Sequence, residues 1–526
     1  MPAMLLAALL LAAPKTMTLI HVNDTHSHVD AMGPKDASLD GTVGGLWKAA
    51  SVIGPLRAAP GTALVHAGDL FHGDLFFQAY YGVAEMTILR ELGLDAMALG
   101  NHEFEWGPGA LYMAADATWG GYPSPLLSAN LDFSGCAADP VSCSLQDYVH
   151  PSLIKDVGGV QVGFFALTTP YDPIAQPAPL VLQGIDDPAV LANIAWNTAL
   201  ALRAQGAQVV VLLSHLGLDL DRQLIIASGA PIDVIIGAHD HAVQPPVAID
   251  RPGGGKTILA EAGDYYRYVG QIVLSVGDDG SVSLAGGGLI PIDASVPRAP
   301  DPVASMVQSF EAGIVAMYGD VFHTAIATAA ADFPNHWDPA AKARDTAAGN
   351  LVTDIYRRHT GTDLAMEAMG LQEGTLVAGP IVGDDVFRLM PYGPPPLGYP
   401  LVKMHLTGAA LLQGLELGVS LMLGTDAFMQ VSGMRFEYDS CAPMFQRVRA
   451  GSVRIGGHRL DPAAVYSVTV NEFLKLVLPA FGVEILDAEV LPDLVYTVLR
   501  DEIARRGTIE PAVQNRIRDL GWKGCN

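Results

Sequence analysis

The sequence predicts an α/β protein built on buried strands joined by helical crossovers, and three observations carry that expectation. The N-terminal half holds five apolar, often β-branched runs, "TMTLIHV", "TALVHA", "DAMAL", "QVVVLL" and "DVIIGA", which have the length and composition of strands covered on both faces. Between them lie stretches of helical spacing such as "YYGVAEMTILRELG" and "DPAVLANIAWNTALALRAQG". Each run also ends abruptly in polar residues of one chemical kind.

Those endings follow in order along the chain. The first run is followed by Asn23, Asp24, Thr25 and His26; the second by Gly68 and Asp69; the third by Gly100, Asn101, His102 and Glu103. The fourth ends in Ser214 and His215, and the fifth in His239, Asp240 and His241. Singly, such residues read as turns, helix caps or hydrogen-bonded loops. In open α/β sheets, however, ligands bind outside the carboxyl ends of the strands, so the five clusters are expected to converge on one rim.

The donor chemistry at that rim points to two metals. Asp24, His26, Asp69, Asn101, His215, His239 and His241 are more donors than one four-coordinate zinc can use. Asp69, after a strand expected to be central, is the natural bridging carboxylate. Mixed imidazole, carboxylate and amide donors suit Zn, Mn, Fe or Co, whereas calcium takes oxygen alone. Two such cations roughly 3.5–4 Å apart generate hydroxide at neutral pH and clamp the attacking and leaving oxygens of an in-line displacement, which is hydrolytic phosphoryl transfer.

Composition sets the frame around this site. At 526 residues, half of them hydrophobic and 16% charged, the chain is globular and long enough for two domains. Thirty Lys plus Arg against 55 Asp plus Glu leave a formal charge of −25, which disfavours nucleic-acid polymers and anionic membranes as partners. An anionic substrate then needs a local reversal of the field, and bound cations supply one. The apolar run from Met4 to Ala13 is too short to span a membrane; it resembles a secretory signal over residues 1–14, although no Lys or Arg precedes it. Export to the periplasm or the exterior is expected. Cys136 and Cys143 sit close enough in a loop to form a disulfide, whereas a pairing of Cys441 with Cys525 does not follow from spacing.

The motifs "NDTHS", "AGDLFHG", "GNHEFEWG", "SHLG" and "GAHDH" resemble, in order and spacing, those of the dimetal metallophosphoesterases, and within them the two-domain 5′-nucleotidase and UDP-sugar hydrolase group. The resemblance covers nearly the whole chain. It implies a layered αββα sandwich followed by a smaller α+β domain. It implies that Asp24, His26 and His241 hold one metal, that Asn101, His215 and His239 hold the other, and that Asp69 bridges them. His102 is then the residue near the transferring phosphoryl group, where an imidazolium stabilises charge or assists the leaving oxygen. The family orients that histidine with an aspartate three positions on; here the position is Glu105, long enough to accept the imidazole N–H. His66 and His72 are expected to be structural or supporting rather than ligands, and the family pattern assigns His28 nothing.

The resemblance continues in "RDTAAGNLVTDIYRRH", "AGPIVGDDVFRLMPYG", "LVKMHLTGAALLQGLELG" and "FMQVSGMRFEYD". It divides the chain into a metal domain over 15–298, a Pro-rich connection with a helix over 299–340, and a substrate domain over 341–526. By analogy with the family, the connection is a hinge. Substrate-reading positions depart from the pattern. "EAMGLQE" stands where the family has an "NGGGIR"-type loop, with Ala368 in place of Asn and Glu373 in place of Arg, and the "GGDGY"-type loop is missing. Phe428 and Phe473 match the positions of the two base-stacking rings. The expected function is release of phosphate from a nucleotide or related small phosphoester. The alternatives are another ester, a cyclic nucleotide or a UDP-sugar as substrate, or a weakly catalytic binding protein.

Overall fold

The computed structural model describes residues 14–172, 175–372, 374–423, 425 and 428–525. Residues 1–13, which hold nearly all of the signal-like segment, and Glu373 lie outside them. The chain forms two compact units: residues up to Ala31, Val43–His72 and Tyr80–Glu311 make the first, and Met32–Thr42, Gly73–Ala79 and the chain from Ala312 make the second.

Twelve strands make the two large sheets of the first unit: β1 (Lys15–Val22), β2 (Thr62–His66), β3 (Leu94–Ala98), β4 (Leu126–Leu127), β5 (Ser152–Val157), β6 (Val160–Thr168), β7 (Val209–His215), β8 (Val234–Ile236), β9 (Val243–Asp250), β10 (Lys256–Ala262), β11 (Tyr268–Val276) and β12 (Val282–Pro291). They form two six-stranded sheets, in the orders β12-β11-β1-β2-β3-β4 and β9-β10-β8-β7-β6-β5. Strands β1 to β4 run parallel, as do β6, β7, β8 and β10, while hairpin partners add antiparallel edges.

The period of two along each strand decides which residues face which layer. In β7, Val209, Val211 and Leu213 join Leu19, Val65, Ala96 and Ile272 in a cluster between the sheets. Val210 and Leu212 turn the other way, onto Leu191, Ala195 and Leu202 of a helix spanning Ala189–Ala204. On the far side, helix Leu46–Arg57 packs against β1, β2 and β11. The result is the αββα layering expected from the sequence, with the parallel strands covered on both faces.

One cross-strand pair within this core is unusually tight. His21 of β1 lies opposite Gly270 of β11, fully buried, and among the described residues neither ring nitrogen has a hydrogen-bond partner. Burial pushes the ring's pKa down to about 3, so it is packed as a neutral, flat apolar plate. A Cβ at position 270 would lie 2.0 Å from His21 Nε2. Gly270→Ala is therefore expected to destabilise the protein by ~1–3 kcal/mol through overpacking, read as a fall in melting temperature of several degrees. An unchanged melting temperature would refute this packing argument.

The second unit carries a five-stranded mixed sheet made of β13 (Leu364–Ala368), β14 (Pro400–Thr407), β15 (Met429–Ser432), β16 (Val465–Asn471) and β17 (Asp487–Leu494), in the order β15-β13-β16-β14-β17. Helix Ala347–Thr360 packs on β13 and β15. It starts where the Thr346 side chain accepts the N–H of Gly349, and it stops at Gly361, whose φ of 71° ends the helical turn. Two short segments from early in the sequence complete this unit. Asp74 accepts hydrogen bonds from Arg388 Nε and Nη2 at 2.8 and 2.5 Å, Lys35 pairs with Asp385 at 2.9 Å, and Gln78 donates to the Gly393 carbonyl. Disulfides join Cys136 to Cys143 and Cys441 to Cys525. Among the described residues, no helix is long and apolar enough to cross a membrane.

Candidate metal centre

The strand ends of the first unit bring the seven candidate donors together. The loops after β1 and β2 are laced by backbone bonds: the amides of Asp24, Thr25 and His26 donate to the carbonyls of Gly68 and Asp69. Asp24 in turn accepts the His239 N–H, and its own carbonyl accepts the Tyr265 N–H. Five of the seven donors, Asp24, His26, Asp69, His239 and His241, hold positive φ between 47° and 89°. Non-glycine residues adopt that region at a cost, and such strain gathers at functional sites whose surroundings over-determine it.

The donor atoms face one another across the rim. His26 Nε2 lies 3.2 Å from His241 Nε2, with Asp24 completing a trio whose ligand atoms fall within 4.8 Å of one another. Asp69, His215 and His239 form another such trio, and Asp69, His26 and His102 a third. Asp69 Oδ2 is 2.9 Å from His215 Nε2, and the Asn101 side-chain oxygen is 3.2 Å from the same nitrogen. Gly100 is required at this point, because a Cβ there would lie 2.0 Å from Asp69 Oδ1.

Burial, with the neighbouring His102 and His241, holds His26 far below its ordinary pKa, and burial with His215 pushes His239 down to about 4. Both therefore present free lone pairs. Burial raises Asp69, but the charges of His215 and His102 reverse this and hold it ionised. His215 is pushed up to about 9, since its contacts with Asp69 outweigh burial, so a cation bound there must displace that proton. Imidazoles, carboxylates and an amide oxygen, most of them buried and all converging on one rim, fit divalent transition metals.

His102 opens the short helical turn after β3. Its backbone N–H donates to Asp69 Oδ1, and its Nδ1 stands 2.5 Å from Glu105 Oε1. Burial raises the Glu105 carboxyl, but His72 and His102 outweigh it and hold the group well below the usual carboxylate range. His66, His72 and His28 each have structural partners. His66 accepts from the Gly68 N–H and meets Thr25, His72 sits against Glu105 and Trp106, and His28 stacks on Tyr265 at 4.2 Å.

Sequence reasoning missed two supports. Glu103, fully buried, accepts the backbone N–H groups of Asp69, Leu70, Phe71 and Gly100, tying the two central loops together. Asp172 accepts from the Asn101 amide at 2.9 Å, which turns the side-chain oxygen of Asn101 toward the site. Only the position of Glu103 beside two candidate functional residues, Asn101 and His102, hinted at the first.

In the second unit the segment that opens "EAMGLQE" starts from an inward-turned acid. Glu367 is fully buried and accepts hydrogen bonds from Tyr356 Oη, Asn471 Nδ2 and the Ala368 N–H. Burial outweighs these donors and raises its pKa from 4.5 to about 8. A raised folded pKa means that this carboxyl's contribution to stability is complete below 4.5 and is lost as pH climbs through 8. Glu367→Gln should therefore flatten the decline in melting temperature between about pH 5 and pH 9, by the equivalent of a few kcal/mol. Parallel wild-type and variant profiles would contradict it. Of the two candidate stacking rings, Phe428 is 1% exposed and packs on Trp337 and Tyr438, whereas Phe473 is half-buried beside Tyr399. The two rings thus have different aromatic partners.

Comparison with known proteins follows the same division. The calcineurin-like phosphoesterase family model matches residues 17–243, and that of the 5′-nucleotidase C-terminal domain matches residues 325–476. The 5′-nucleotidase precursor from Thermus thermophilus has a similar structure, with a TM-score of 0.80 and 27% identity over 96% of this chain and 99% of that one. The bovine 5′-nucleotidase is 24% identical over 98% of this chain and 92% of its own length. The trifunctional nucleotide phosphoesterase YfkN of Bacillus subtilis is 25% identical over 96% of this chain, which spans only 35% of that relative. Fold and family together define a metallophosphoesterase, a metal-dependent hydrolase of phosphoric esters that uses divalent ions. The chain belongs to the two-domain 5′-nucleotidase family.

Proposed function

We propose that this enzyme releases phosphate from 5′-nucleotides or closely related small phosphoesters, with Asp24, His26 and His241 holding one divalent ion, Asn101, His215 and His239 a second, and Asp69 shared between them. The observation that carries this reading is the convergence of all seven donors, beside His102, on one strained and laced rim. Bound there, Zn, Mn, Fe or Co ions supply Lewis acidity and lower the pKa of a water. The chain's own residues do the rest. Asp69 fixes the His102 backbone, Glu105 orients the imidazole and favours its charged form, and that ring stabilises phosphoryl charge or gives a proton to the leaving oxygen.

Residues 15–298 form the metal domain in this reading, 341–526 select the substrate, and 299–340 connect them. Phe473, with its partly open ring, is the better placed of the two aromatic candidates for stacking on a base, since Phe428 is closed in by its neighbours. Export is the proposed location, supported by the signal-like residues 1–14, by two disulfides, and by a Thermus relative that is itself a precursor.

Phosphate release by protein loaded with Mn or Zn, measured across AMP, UMP, a UDP-sugar, a cyclic nucleotide, a sugar phosphate and p-nitrophenyl phosphate, tests the proposal. Preferred turnover of the 5′-mononucleotides is expected. Silence across the panel overturns it, and activity confined to other esters overturns the nucleotide assignment alone.

A further inference from the structure

We infer that His72 is a positioning residue for the phosphoryl-transfer site: it fixes the second oxygen of Glu105 so that the first can hold His102. The inference rests on the role proposed above for His102.

Glu105 occupies a place where the family carries aspartate, so its carboxylate hangs on one additional rotatable bond. A longer side chain reaches His102 in more ways, and some of those leave the imidazole unsupported. The structure resolves this with a second histidine. Glu105 Oε1 stands 2.5 Å from His102 Nδ1, and Glu105 Oε2 stands 2.5 Å from His72 Nε2. One carboxylate thus bridges two rings whose centroids are 5.8 Å apart.

His72 is itself held hard. Its ring is fully buried, its backbone φ is 71°, and the Trp106 indole stacks against it, 23° from its plane. It sits three residues after Asp69, on the loop whose amides at 69, 70 and 71 are gathered by Glu103. Two glutamates of one short turn, Glu103 and Glu105, therefore grip the same loop, one through its backbone and the other through His72. The grip sets the distance between the candidate bridging carboxylate and His102. Small misplacements of such groups are costly, because reacting atoms must be held near contact distance.

The test uses the metal-loaded full chain and its best substrate from the panel. His72→Leu should lower kcat about tenfold or more while KM, metal content and melting temperature stay near wild type. His72→Gln, which keeps a donor, should recover most of that loss. Glu105→Asp in the His72→Leu background should raise kcat severalfold above His72→Leu alone, since the shorter acid needs no second holder. An unchanged kcat in His72→Leu, a loss explained by lost metal or unfolding, or a double variant as slow as the product of the two single effects would overturn the inference. Failure of the underlying reading looks different: there, His102→Ala itself leaves kcat intact.

Discussion

Replacing Asp69 with Ala is expected to abolish phosphate release, lowering kcat on the order of a thousandfold or more, and to cost the protein bound metal. The carboxylate does three things at once. It lies 2.9 Å from His215 Nε2, it belongs to two of the three trios of converging donors, and it accepts the His102 backbone N–H. Without it, His215 loses the partner that raises its pKa, and a buried cluster of imidazoles faces incoming cations with less negative charge to offset them. Asp69→Asn separates these roles, because an amide oxygen still accepts from His102 but carries no charge. Metal analysis alongside phosphate release should show both variants metal-poor, with Asp69→Asn the better ordered around His102. Chelation of the wild type should reproduce the loss, and re-addition of Mn or Zn should reverse it. Full metal occupancy with near-normal kcat in Asp69→Ala would remove the shared-carboxylate assignment.

His102→Ala should lower kcat by about 10²–10⁴ while leaving KM and metal content close to wild type. Among the described residues its ring is the titratable group beside the donors that has its own carboxylate partner and no place in the proposed ligand set. A side chain that acts on charge developing in the transition state contributes little to ground-state binding, so the loss belongs in kcat. Glu105→Gln should give a smaller loss in the same direction, since it keeps an acceptor for the imidazole N–H but no longer favours the charged ring. A His102→Ala variant that raised KM and left kcat intact would turn this residue into a binding group.

Much of the first unit was legible because its signals are local. Buried parallel strands must be apolar on both faces, so "QVVVLL" and "DVIIGA" announce themselves, and donors that follow a strand directly are carried to the rim by the strand itself. Residues that act through a distant neighbour leave no such trace. Nothing in the chain around Asp172 points to Asn101, and His72 looks like a loop histidine until Glu105 is seen against it. The altered loop shows the same limit. Its sequence reveals that the expected Arg is gone, but not that Glu367 turns inward to Tyr356 and Asn471. Phe428 fits a stacking position by alignment of motifs, while its neighbours Trp337 and Tyr438 close it in, a fact set by residues roughly ninety positions before and ten after it.

The segments 32–42 and 73–79 leave the first unit and belong to the second, so the chain passes between the two units five times. No single cut can therefore release either unit intact. A fragment that began at Ala312 would keep Arg388 and Asp384 but lose Asp74, and a guanidinium only 6% exposed would lose a carboxylate partner. Lys35 would be missing from Asp385 as well. Neither unit can thus be produced as one uninterrupted piece of the chain, however distinct their chemistry, and the second of the two early segments sets out one residue after His72.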